Sequence, residues 1–116
     1  MDNFEVVNST SKYIVKSTGK GSETNQELVD ANKLTEGTDG SLVSLIECYY
    51  VIESIGSTAG KLTISTDSES SPLTLTNSGK YGLRPEQLKF GNDKIFKLTT
   101  DANVKSYLLV TEFRRN

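Results

Sequence analysis

Apolar and polar positions along this chain alternate with a period of two in short runs, and clusters of Gly, Asn, Asp and Ser separate one run from the next. That pattern predicts β-strands joined by turns. Phe4 to Val7 reads as a short extended start, and Lys12 to Ser17 as a second strand with Tyr13 and Val15 on one face. Thr18 to Ser22 turns the chain. Glu23 to Asp30 continues as a polar strand carrying Leu28 and Val29, with a turn of helix between Asn25 and Leu34 as the competing reading.

The strongest run is Leu42 to Glu53. One face reads Leu42, Ser44, Ile46, Cys48, Tyr50 and Ile52 and is expected to look inward; the other reads Val43, Leu45, Glu47, Tyr49, Val51 and Glu53 and is expected to be partly exposed or to meet a partner. Lys61 to Asp67 alternates cleanly, with Leu62, Ile64 and Thr66 inward. Pro72, which cannot donate to a sheet ladder, predicts the start of a strand or a sheet edge at Leu73 to Thr76. Asn77 to Gly79 reads as a turn, Tyr81 to Phe90 as irregular with a helical turn at Pro85 to Leu88, and Gly91 to Asp93 as another turn. Lys94 to Thr100 places Phe96 and Leu98 together. The last strand, Val104 to Arg114, has Tyr107, Leu109 and Phe113 on one side and Val104, Leu108 and Val110 on the other, so it belongs in the middle of a sheet or under a partner. Roughly seven to nine short strands without a helical layer predict a single all-β domain over residues 1–116, a two-sheet, jelly-roll-like sandwich, with a closed barrel as the second choice.

Composition agrees with this. The 116 residues include 14 Ser and 13 Thr, whose hydroxyls compete with helical backbone bonds, and Thr fits a pleated surface. Net charge is −2 but uneven: residues 1–76 hold 5 basic and 11 acidic side chains, residues 77–116 hold 8 and 4. In a β fold such halves interleave. The single cysteine, Cys48, sits in the longest apolar run and reads as a small core residue. Without a disulfide framework, signal peptide or bilayer-length apolar stretch, the chain is expected to be made in a reducing cytoplasm, where the sequon Asn8-Ser9-Thr10 has no consequence.

Candidate chemistry is sparse. There is no histidine, the usual general base and metal ligand. Gly56 to Lys61 departs from a phosphate-binding loop in spacing and has Leu62 where a magnesium-binding hydroxyl belongs, so it reads as a turn. Asp67, Ser68 and Glu69 lack calcium-loop spacing. Glycosidic chemistry would need Glu47 or Glu53 to meet Asp67, and no enzyme is expected. A nucleic-acid-binding barrel has only Lys80-Tyr81 and Phe113-Arg114-Arg115 to offer, and a sugar-binding module only tyrosines such as Tyr49 or Tyr81. No cofactor, metal, nucleic acid or membrane partner is expected.

The succession Lys16-Ser17-Thr18-Gly19, Ser22-Glu23-Thr24-Asn25, Leu28-Val29-Asp30 and Leu34 resembles the N-terminal half of small virion proteins of tailed bacteriophages. The long strand from Ile46, the turn Asn77-Ser78-Gly79-Lys80, Leu98-Thr99-Thr100 and the closing Ser106 to Val110 extend the resemblance over nearly the whole chain. It implies a β-sandwich component of the particle, most often a capsid decoration or cement subunit located in the virion. Neck or tail accessory proteins are the alternative, as is a glycan-binding adhesion module. Its implied partners are the major capsid protein or other virion proteins and further copies of itself, a trimer being favoured. The expected contact residues are Phe4, Val6, Tyr49, Tyr81, Phe113, Arg114 and Arg115, with Phe4 to Val7 and Phe113 to Arg115 read either as arms reaching a neighbour or as paired ends.

Overall fold

The computed structural model describes residues 1–34, 42–68, 72–82 and 93–115. Among the described residues nine strands follow in order: β1 (Asp2–Asn8), β2 (Lys12–Gly19), β3 (Gln26–Asp30), β4 (Val43–Ser54), β5 (Leu62–Thr66), β6 (Leu73–Leu75), β7 (Ser78–Gly82), β8 (Ile95–Thr100) and β9 (Val104–Arg115). A short 3-10 turn at Ala31–Lys33 follows β3, with the Asn32 amide donating to the Asp30 carboxylate that caps it. The run from Asn25 to Leu34 is therefore a strand followed by one turn. All pairings are antiparallel, in a five-stranded sheet ordered β1-β2-β9-β4-β7 and a four-stranded sheet ordered β3-β8-β5-β6. Among the described residues a single isolated bridge, Val43 with Asp93, joins the two sheets at one corner. The architecture is a two-sheet β-sandwich, and among the described residues the sheets do not close into a barrel. The helical turn expected at Pro85 to Leu88 lies outside the described residues.

The core lies between the sheets. Val15, Leu45, Leu109 and Phe113 enter from the five-stranded sheet, and Leu28, Leu62, Ile64, Phe96 and Leu98 from the other, all essentially without exposure. The Phe113 ring meets Phe96 at 5.1 Å and Tyr13 at 6.4 Å between centroids, within the range of favourable tilted packing. Pro72 directly precedes β6, the edge strand of the smaller sheet, as its missing N–H requires. Asn77, at φ 62°, is where the chain leaves the smaller sheet for the larger, so Ser78 and Gly79 lie in β7 and not in a turn. The two unevenly charged halves interleave: Lys97 pairs with Asp67 and Lys105 with Glu53.

Three bulges overturn the simple alternation. Between Leu45 and Glu47 the pairing to β9 shifts by one residue, leaving Ile46 unpaired. Val43 and Leu45 are therefore buried on one parity and Cys48 and Ile52 on the other, whereas Leu42 is exposed and Ser44 and Ile46 are half-buried. The inward face expected from Leu42 to Ile52 is thus real only from Cys48 onward. A second shift, between Glu53 and Ser54, makes Lys105 the extra residue of β9 and turns Val104 into the core with Tyr107 and Leu109, away from Leu108 and Val110. A bulge between Glu27 and Val29 likewise lets the adjacent Leu28 and Val29 both be buried.

At one end of the sandwich Glu23 accepts from the Lys20 amide and pairs with the Met1 ammonium, beside the buried Tyr107 hydroxyl. Burial by itself would raise the Glu23 carboxyl, but the Met1 ammonium and the Lys20 amide outweigh it and hold the group below its ordinary range. Because the folded value lies below the unfolded one, this contribution is complete above the unfolded value and disappears as pH falls through the folded one. Glu23→Gln is expected to lower stability at pH 7 and to differ less from wild type once Glu23 is protonated. Urea unfolding at both pH values measures this; a pH-independent difference would contradict it.

Candidate interaction face

The outer surface of the five-stranded sheet can be read off the register. One line of same-face residues crosses all five strands as Phe4, Lys16, Val110, Tyr49 and Lys80. On one side runs Asp2, Thr18, Leu108, Val51 and Ser78, and on the other Val7, Ile14, Glu112, Glu47 and Gly82. At the centre Tyr49, Val51, Leu108 and Val110 form an apolar quartet. Tyr49 is 46% exposed, Val51 55% and Leu108 37%, on the two strands that otherwise sit deepest in the fold. A shallow depression of about 260 Å³ lies over the quartet, bordered by Tyr50, Ser78 and Gly79.

Tyr49 is held in place. The Lys80 ammonium stands 5.4 Å from its ring centroid, and Glu47 accepts its hydroxyl hydrogen bond. That hydrogen bond, with the charges of Glu47 and Glu112, raises the Tyr49 hydroxyl above its ordinary value. An aromatic ring fixed on a strand loses little side-chain freedom when it is covered, which suits an anchor of an interface. Beneath it, burial pushes the Cys48 thiol up to about 12, as expected of a packing residue and not of a reactive one.

The expected contact residues separate into groups. Phe4 and Val6 are exposed on the edge strand β1, Phe4 in the same line as Tyr49 and Val6 at a bulge. Arg114 is exposed on the outer face beside Ser44 and Lys12. Phe113 and Arg115 are corrections. Phe113 is in the centre of the core, and Arg115 is buried with its guanidinium donating to Asn8 Oδ1 at 3.3 Å and to the Ser9 carbonyl at 2.7 Å. The terminal segments are paired strands: β1 lies along β2, and β9 is hydrogen-bonded on both sides through Arg115. Tyr81 opposes Cys48 and packs against the core from the sheet edge, on the side away from Tyr49. The two tyrosines named for a sugar platform are therefore not on one surface, and Phe113 is closed to base stacking.

The carboxylates considered for glycosidic chemistry are not brought together. Glu53 pairs with Lys105 on the larger sheet, and Asp67 with Lys97 on the smaller. Sequence reasoning missed Glu47, Lys80, Val51, Leu108 and Val110 as neighbours of Tyr49. Alternation placed each on a face of its own strand, but their adjacency depends on register. Among the described residues no group of three or more metal-ligating side chains converges, and no helix is long and apolar enough to cross a membrane. Comparison of the chain with protein-family models, with curated proteins and with solved structures finds no match in any of the three.

Proposed function

We propose that this chain is a structural component of a bacteriophage particle, a capsid decoration or cement subunit that works by surface contact and not by catalysis. The observation that carries the reading is the apolar quartet left open on the outer face of the larger sheet, over a sandwich whose own core is already closed. Contiguous apolar surface rimmed by polar residues marks an interaction site. The resemblance to small virion proteins supplies the setting, and the partner it implies is the major capsid protein. A cement of this kind binds across neighbouring shell subunits, and several weak contacts held together on one particle give an attachment far stronger than any one of them.

Sedimentation with heads assembled from the shell protein of the same genome tests this. The purified protein is expected to pellet with the heads and to saturate at a fixed ratio to shell subunits. Protein that stays in the supernatant at every ratio, with heads intact, would overturn the proposal.

A further inference from the structure

We infer that the outer face of the five-stranded sheet is closed by a second copy of this chain, related by a two-fold axis lying in the interface. The inference rests on the reading of this face as an assembly surface and names its occupant.

Size is the first argument. Five strands at ~4.8 Å spacing, each with about four same-face residues ~6.8 Å apart, give a flat footprint of roughly 600 Å². Side-chain relief brings the accessible surface near the ~800 Å² per partner of stable interfaces. A neighbour that covers only an edge would leave the central quartet wet.

Charge is the second. The quartet is ringed by both signs: Lys16 and Lys80 flank it in the line of Tyr49, Glu47 and Glu112 occupy the next line, and Glu53 follows Val51 along β4. A nucleic acid or a strongly acidic or basic protein would meet repulsion from half of this rim, whereas a rotated copy of the same rim can match it. From the centre of the quartet, strand and residue spacings place Lys80 about 8 Å out and Glu47 about 10 Å out. A two-fold axis running diagonally across the strands, as in orthogonal sheet packing, exchanges these directions. It brings Lys80 of one copy to within about 4 Å, in lateral offset, of Glu47 of the other, and Lys16 opposite Glu53. Each contact forms twice, as an isologous interface requires. The quartet meets its own image at the centre.

Light scattering coupled to size exclusion, run from about 1 µM to about 1 mM, tests the inference. Wild type is expected to show about twice the 12.7 kDa chain mass. Leu108→Lys, on the outer face and outside the core, is expected to raise the dimer dissociation constant at least ~10-fold with an unchanged circular dichroism spectrum. Lys80→Glu is expected to weaken the dimer, and Lys80→Glu combined with Glu47→Lys to restore it. A wild-type monomer over the whole range overturns the inference, as does a dimer that Leu108→Lys leaves intact. A monomer that still saturates heads overturns the second copy alone and leaves the particle reading standing. A dimer of the expected behaviour that ignores heads supports the pairing and overturns the particle reading.

Discussion

Phe113→Ala is expected to cost about 3–5 kcal/mol, a large part of the total stability of a domain this size. The residue has no exposure, lies between Tyr13 of β2 and Leu45 of β4 in the sheet, and reaches across the sandwich to Phe96 at 5.1 Å. Removing the ring opens a void at the point where the two sheets meet, and backbone hydrogen bonds on both sides of β9 prevent the strand from collapsing into it. Phe113→Leu keeps more of the volume and should cost roughly 1–2 kcal/mol. Urea unfolding followed by circular dichroism measures both. A loss below about 1 kcal/mol for the alanine variant would mean that the C-terminal segment is not the centre of the core.

Gly82→Ala should be nearly as damaging, for a backbone reason. Gly82 has φ +106°, a conformation that costs a side-chain-bearing residue about 1–3 kcal/mol. An added Cβ would also stand 2.1 Å from the Ile46 carbonyl oxygen and 2.8 Å from the Glu47 Cα, so the strands must separate. The site is where β7 meets the β4 bulge: the extra residue pushes backbone toward β7, and only a residue without a side chain lies against it. The expected result is a loss of about 2–3 kcal/mol. Amide exchange should be faster across Ser78 to Gly82, and Lys80 should no longer be held over Tyr49. Gly56→Ala is the control, since nothing lies within 4 Å of its added carbon. Equal stability of the two variants would contradict the bulge account.

These two residues also show what was legible in the sequence. Where a strand is regular, alternation identifies the buried face: Leu62, Ile64 and Thr66 in β5, and Phe96 and Leu98 in β8, all lie inward as their spacing predicts. Where a residue is inserted, alternation is correct locally and inverted beyond the insertion, as Val43 and Leu45 show against Cys48 and Ile52. A bulge is specified by its partner strand, here by a glycine 36 positions later in the chain, and no local window contains that information. Phe113 and Arg115 depart from the local pattern for a related reason. An aromatic followed by two arginines near a chain end suggests a projecting basic arm, but β9 stays paired on both sides to Arg115, which folds back onto Asn8 and Ser9.

The candidate face was legible in part. Tyr49 stands out in the sequence as an aromatic in a charged and aliphatic row, and alternation places Leu108 and Val110 on one side of their strand. What joined them was the register of β4 on β9, with Tyr49 opposite Val110 and Val51 opposite Leu108. Such pairing follows from long-range packing between segments about 60 residues apart, so single-strand patterns contain the parts of the surface without its assembly.

The claim that this face is the working surface of the protein is tested most directly by hydroxyl-radical footprinting of the particle-bound protein against the free, folded Leu108→Lys variant. Protection at Tyr49, Val51 and Val110, with Leu73 and Thr74 on the smaller sheet protected only where the shell touches them, is the predicted result. Full reactivity of Tyr49, Val51 and Val110 in the bound protein would contradict it and move the working surface elsewhere on the sandwich.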